Sequence, residues 1–396
     1  MYTQNKKRYE IEEFSRDHLQ ATLYRSCHGM NPQYKDLIYL LYCAVNGTIP
    51  DTAKVQAMDL QVLYKIAKFH TVRAAVCIAL KRAGVQDKQF DQAYKKAVRK
   101  NIYLDIERSA ILADFEKQGI WNMPLKGSVL KDLYPEIGMR EMADNDLLLN
   151  ADKQEQSKEI MLSHGYTAEH YGVSNHDVYM KPPVLNFELH TTLFGTDHDE
   201  TLYRYYADTK RLLIKDDDNN HGYHFSDEDF YVYMTAHEWK HYDGSGTGIR
   251  SLLDCYVYCK IKGDLLDWQY ITAQCKQLEI ADFEKERRAL AVKVFSSDTL
   301  PDLTESEQEM LIFYLTAGTY GTFDNAIKKK LKDQSKLSFW VHSIFIPRKQ
   351  MAASVPFTAK SPLLYPVGVA WRCGRVLIKR RDRLKQTIKA VKKYGK

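Results

Sequence analysis

The chain has 396 residues, 44% of them apolar and 27% charged, with a formal net charge of +6. That balance is ordinary for a globular chain of two or three domains and excludes wholesale disorder. No run approaches the roughly 20 apolar residues of a membrane span; the best stretch, 363–378, is broken by Pro366, Arg372, Gly374 and Arg375.

The first residues carry Lys6, Lys7 and Arg8 with no apolar signal core behind them, so secretion is not expected and the cytoplasm is the expected compartment. Seven cysteines (Cys27, Cys43, Cys77, Cys255, Cys259, Cys275 and Cys373) are scattered without C-x-x-C spacing and read as reduced thiols. Residues 1–118 form an expected N-terminal helical region. Apolar residues recur at helical spacing over 36–45, 60–69, 72–82 and 89–117, with Asn46-Gly47 and Ala83-Gly84 as punctuation.

From 119 to 215 the pattern changes to short apolar strands alternating with helices, which predicts an α/β (α+β) core with a small mixed sheet. Pro124-Leu125 ends an apolar segment, Gly127-Ser128 permits close backbone approach, and 129–134 begins a helix whose N–H groups suit a phosphate. Lys126 and Arg140 would add positive charge beside it. Side chains alternate along a strand, so Asp144 and Asp146 are expected to project together ahead of the buried run Leu147 to Leu149. Paired carboxylates repel unless a cation lies between them, and Mg²⁺ is the natural occupant. Glu188, in the apolar run V-L-N-F-E-L-H, would complete a triad if its strand lies beside the first. The pattern points to Mg²⁺, a nucleoside triphosphate and nucleotidyl transfer. A helix is expected over 153–164, then strands over 166–171 and 177–181 around a turn at 172–176.

Residues 216–335 are expected to form a C-terminal helical domain. It contains H-E-W-K-H at 237–241, which matches the H-E-x-x-H signature of zinc hydrolases: His237 and His241 on one helical face, with Glu238 as base. Lys240 puts an ammonium beside the supposed zinc, and no clear third ligand follows, although Asp243 and Asp254 are available. The loop D-G-S-G-T-G at 243–248 reads as an interhelical connector rather than a lid, and Cys255 and Cys259 as core packing. The final segment, 336–396, is basic. From 340 onward it holds 14 Lys and Arg and one acid, Asp382, so the chain's net charge is a property of this tail. Apolar residues recur among the basic ones over 375–393. The stripe can pack on the core with its charges solvated, or lie on an anionic membrane, the leading functional alternative, or on RNA.

L-K-G-S-V-L-K-D-L-Y-P-x-x-G-x-R-x-x-x-D-x-D-L-L, then hydrophobic-Glu-Leu-His, then H-E-W-K-H and R-S-L-L-D, resembles a bacterial family of largely uncharacterised nucleotidyltransferases within the DNA polymerase β-like superfamily. The likeness covers most of the chain. Members share a Gly-Ser turn, a D-x-[DE] pair and a third carboxylate, matched here by Gly127 and Ser128, Asp144 and Asp146, and Glu188. The third acid is Glu where Asp is frequent in relatives, and Asn145 is polar where an apolar residue is usual. The resemblance implies in-line attack by an acceptor hydroxyl at the α-phosphorus of an NTP, with pyrophosphate leaving. Lys240 or Arg250 would touch the phosphates and Asp254 would orient one of them, with His190, His237 and His241 as supporting residues around the metal. The acceptor stays open: small molecule, glycan intermediate, protein or RNA. The other readings are the zinc hydrolase and a catalytically silent nucleotide-binding scaffold.

Overall fold

A computed structural model describes residues 30–195, 199–319, 321–331, 334–379 and 381–395. The readings of the extreme N-terminus and of Cys27 lie outside the described residues. Five strands form the central sheet: β1 (Asn122–Pro124), β2 (Asn145–Leu149), β3 (Thr167–His170), β4 (His176–Lys181) and β5 (Leu185–His190). Their order is β1-β2-β5-β4-β3, with β2 and β5 parallel and the other pairs antiparallel. A small hairpin, β6 (Leu213–Lys215) with β7 (Tyr223–Phe225), joins the β1 edge where the Asn122 N–H donates to the His221 carbonyl at 2.8 Å. The mixed-sheet α/β core flanked by helices is the fold expected from the sequence.

Strand alternation decides what each face of the sheet does. Leu147 and Leu149 of β2, with Leu185, Phe187 and Leu189 of β5, pack against Leu104, Ile111 and Phe115 of the long Lys88–Lys117 helix and Met161 of the Gln154–Ser163 helix. The other face therefore presents Asp146, Glu188 and His190. There the Asp227–Tyr242 helix lies across the sheet. Ser226 caps it by accepting from the Asp229 N–H, and three acids occupy its first turn, favourable against the helix dipole.

The largest core joins helices that are far apart in sequence. Leu37, Leu40 and Leu41 of the Pro32–Asn46 helix and Val76 and Leu80 of the Arg73–Arg82 helix pack with Leu252 of Ile249–Lys262, Leu290 of Ala281–Phe295 and Tyr314 of Glu305–Ala317. Ile327, Leu331, Phe339, Ala390 and Val391 form a separate small core that anchors the final helix, Arg381–Tyr394.

Two expectations are corrected. The helix placed at 129–134 is a single turn, Gly127–Leu130, followed by a 3₁₀ turn, Lys131–Leu133. Asp144 precedes β2 instead of lying on it, because regular pairing begins at Asn145 opposite Phe187. The loop at 243–248 is a connector, as expected. Its backbone is held by Gly246 N–H to His241 and by Thr322 N–H to Ser245, and a Cβ on Gly246 would come within 2.6 Å of the Ala317 Cβ.

Candidate active site

The register of β2 and β5 sets Asp146 beside Glu188 and Leu148 beside His190. Asp146, Glu188 and His190 place their ligand atoms within 4.8 Å of one another. His190 Nε2 is 2.9 Å from Asp146 Oδ1 and 3.7 Å from Glu188 Oε2. His176, the first residue of β4, pairs with His190 in the sheet; its Nε2 also lies 3.7 Å from Glu188 Oε2 and its ring centre 5.0 Å from that of His190. By sequence His176 falls in the turn expected at 172–176, since only the β4–β5 register reveals its position. His190 could have been read as more than a supporting residue. It stands two positions after Glu188 in one strand and so must share its face.

Lys126 reaches this cluster from the other side, its Nζ 3.2 Å from Asp146 Oδ1. Its backbone has φ 42°, a region that β-carbon sterics disfavour. The strain is local to the turn that aims Lys126 inward. Gly127 follows in a tight place: a Cβ there would lie 2.8 Å from both Arg140 Nη1 and Met142 Cε, so one or both side chains would have to shift. Ser128 does not face the cleft. Its hydroxyl donates to Asn145 Oδ1 at 3.3 Å, and its N–H and that of Val129 close the turn onto Leu125 and Lys126. Asn145 is fully buried and employed. It accepts from Arg108 at 3.0 Å and donates to the Leu104 carbonyl at 2.9 Å, tying β2 to the long helix.

The carboxylates differ sharply in their hold on protons. Burial and the neighbouring Asp146 push Asp144 up to about 6. Burial, then the charges of Asp146 and Asp144, push Glu188 up to about 7. Burial acts upward on Asp146 too, but Lys126 and the His190 hydrogen bond outweigh it and hold this carboxyl well below its usual range. Burial lowers His190 to about 4, against the pull of Asp146. His190 is therefore a neutral imidazole donating from Nε2, and its Nδ1 is buried with no hydrogen-bond partner among the described residues.

A cleft of about 320 Å³ opens over this cluster, lined among others by Lys126, Asp144, Asp146, Glu188, His237, His241 and Arg250. Arg140 and Asp254 also line it, but Arg140 is already engaged. Its Nε and Nη2 make a two-pronged ion pair with Asp254 at 2.8 and 2.9 Å, and the Tyr134 hydroxyl donates to the same carboxylate at 2.6 Å. Asp254 thus orients Arg140, not Lys240 or Arg250 as expected. Arg250 donates to the Glu141 carbonyl at 3.3 Å at the cleft wall. Lys240 is not brought to the lining of this cleft. One residue of helical rotation, about 100°, separates it from His241 and turns it toward a neighbouring cavity with Trp239, Lys329 and Ser338.

The zinc-hydrolase reading of H-E-W-K-H does not fit the geometry. His237, Glu238 and His241 all line the cleft, the two histidines with their Nε2 atoms 3.3 Å apart, but the Glu238 carboxylate is engaged elsewhere. It is buried, accepting from Arg287 Nη1 at 2.9 Å and from the Tyr314 hydroxyl at 2.5 Å. A carboxylate so employed cannot serve as base to a metal held by the two histidines. Among the described residues, the one three-membered group able to hold a metal contains neither histidine.

The site is thus a small mixed sheet carrying in-register carboxylates under a helical cover, with a lysine and a glycine turn at the cleft. The chain belongs to the family described as uncharacterised nucleotidyltransferase, whose family model matches residues 56–296. Nucleotidyl transfer is its general role, with an NTP as the implied substrate. No curated protein and no solved structure matches the chain.

Proposed function

We propose that the cleft transfers an NMP from an NTP to a hydroxyl of an acceptor, releasing pyrophosphate, with Asp144, Asp146 and Glu188 as the acidic residues of the reaction. The observation that carries this reading is the cluster of Asp146, Glu188 and His190 across two parallel strands, beside Lys126. The donor set suits a divalent cation: two carboxylates, a neutral imidazole and a nearby third acid, two of the carboxyls held above their ordinary range by burial and then by neighbouring negative charge. Mg²⁺ is the proposed ion, and the imidazole extends the choice to Mn²⁺. Such an ion, when bound, supplies charge neutralisation at the phosphates of the NTP.

The chain's own groups account for the rest. Lys126 and Arg250, both lining the cleft, offer positive charge to the phosphates. Gly127 keeps the turn thin enough for close approach, and the Asp254 pair fixes Arg140 against it. Glu188, with about a quarter of its side chain accessible, is less buried than Asp146. It takes the proton of the attacking hydroxyl or holds a second ion, and its elevated pKa suits the first task. His237 and His241 border the cleft as polar wall. Residues 119–215 serve as the transferase unit and 216–335 as the helical unit that closes the cleft.

The test is label transfer. Protein incubated with each α-³²P-labelled NTP and a fractionated cell extract should pass label to an acceptor, and Asp146→Ala should abolish the transfer. Nucleotide binding without transfer to any fraction would favour the silent scaffold.

A further inference from the structure

The segment from 336 onward leaves apolar surface uncovered. Among the described residues, eleven of the twenty-four large apolar side chains that stand exposed fall between Leu337 and Ile388. In the Tyr365–Lys379 helix, Val367, Trp371 and Ile378 are spaced four and seven apart and so share one face, where they are 53%, 47% and 82% exposed. The inward side of that helix is tight: a Cβ on Gly368 would sit 2.5 Å from Thr358 Cγ2. The Lys336–Ile344 helix repeats the arrangement, burying Phe339 and exposing Leu337 and Val341 on another side. Arg372 donates to the Ser343 and Ile344 carbonyls and bridges the two helices.

Positive charge borders this surface. Residues 340–396 carry 14 Lys and Arg against Asp382. The Arg375 guanidinium lies over the Trp371 ring, 5.2 Å from its centre, and Arg375, Arg381, Arg383 and Lys385 are exposed. We propose that this face docks on an anionic membrane, with Val367, Trp371 and Ile378 entering the boundary between headgroups and acyl chains and the basic residues meeting lipid phosphates. No helix among the described residues is long and apolar enough to cross a membrane, so the contact is interfacial. A second copy of the chain would bring the same positive charge against it. RNA would match the charge, but Val367 and Ile378 offer it neither stacking nor hydrogen bonds. The apolar stripe of the last helix is partly spent on the fold through Ala390 and Val391, whereas that of the Tyr365–Lys379 helix is not.

Co-sedimentation of the full-length protein with vesicles tests this independently of nucleotide chemistry. The protein should sediment with vesicles of phosphatidylglycerol and phosphatidylcholine in equal amounts, not with phosphatidylcholine alone, and salt should weaken the binding. Val367→Ser/Trp371→Ser/Ile378→Ser should lower the partition by at least about tenfold, and Arg375→Glu/Arg381→Glu should lower it as well. All five positions are exposed, so unchanged thermal unfolding will certify both variants. Failure to sediment with the anionic vesicles, or a serine variant that sediments like the parent, would overturn the proposal. RNA bound equally by parent and serine variant, without vesicle binding, would assign the charge to nucleic acid instead.

Discussion

Glu238 shows how much a single residue's meaning depends on what lies across from it. Its neighbours His237 and His241 face the cleft, yet Glu238 joins a buried network. Arg287, fully buried, donates to Glu238 and to Thr235 Oγ1 at 3.0 Å and lies 5.3 Å from the Tyr231 ring centre. Burying a guanidinium is tolerable only while its partner keeps its charge, so Glu238→Ala strands it. The expected cost is about 3–5 kcal/mol, read as a large drop in thermal or denaturant midpoint. A hydrolytic base could be removed with little loss of stability, so a stable Glu238→Ala protein would contradict this assignment. At this scale the sequence was informative where function depends on local spacing and silent where it depends on a distant partner. Asp146, Glu188 and Lys126 could be picked out because short apolar runs and a glycine turn frame them. Arg287 lies 49 residues beyond Glu238, and Arg108 lies 37 before Asn145; no periodicity links such pairs.

At the scale of elements, His70 ties three helices together. It follows the Leu60–Phe69 helix, sets its Nε2 at 3.1 Å from the Leu315 carbonyl of Glu305–Ala317, and accepts at Nδ1 from the Ile249 N–H that opens Ile249–Lys262. Both ring nitrogens are used by a neutral imidazole, and a second proton would collide with the Ile249 N–H. Burial accordingly lowers its pKa from 6.5 to about 3, the Leu315 contact opposing only in part. The unfolded chain takes up this proton below about 6.5 and the folded one does not until about 3. Stability from this group is thus intact above pH 6.5 and is lost as pH falls through that window, by up to about 1.4 kcal/mol per pH unit. Unfolding free energies of the parent and of His70→Gln, measured across the window, should differ in slope by that amount. Parallel slopes would contradict it. Helices such as this one were visible from their 3.6-residue period. The brief strands β1, β6 and β7, three residues each, are too short to show any period.

For the whole molecule, the architecture divides labour between a narrow sheet and a large helical body. The sheet supplies the acids, the Asp227–Tyr242 helix covers them, and the main core joins helices of 32–82 to helices of 249–317. Which helices share a core was not visible in the sequence, because an amphipathic stripe states that a face is buried and not against what. The division of charge was visible, since it needs only counting. On the proposed reading the acidic cluster holds a cation together with an NTP. Calorimetric titration of ATP, GTP, CTP and UTP, with and without Mg²⁺, into the parent and an Asp144→Ala/Asp146→Ala variant tests it without knowledge of the acceptor. At least one NTP should bind the parent only when Mg²⁺ is present, and the variant should not bind it. Binding to none of the four, or binding indifferent to both aspartates, would contradict that reading.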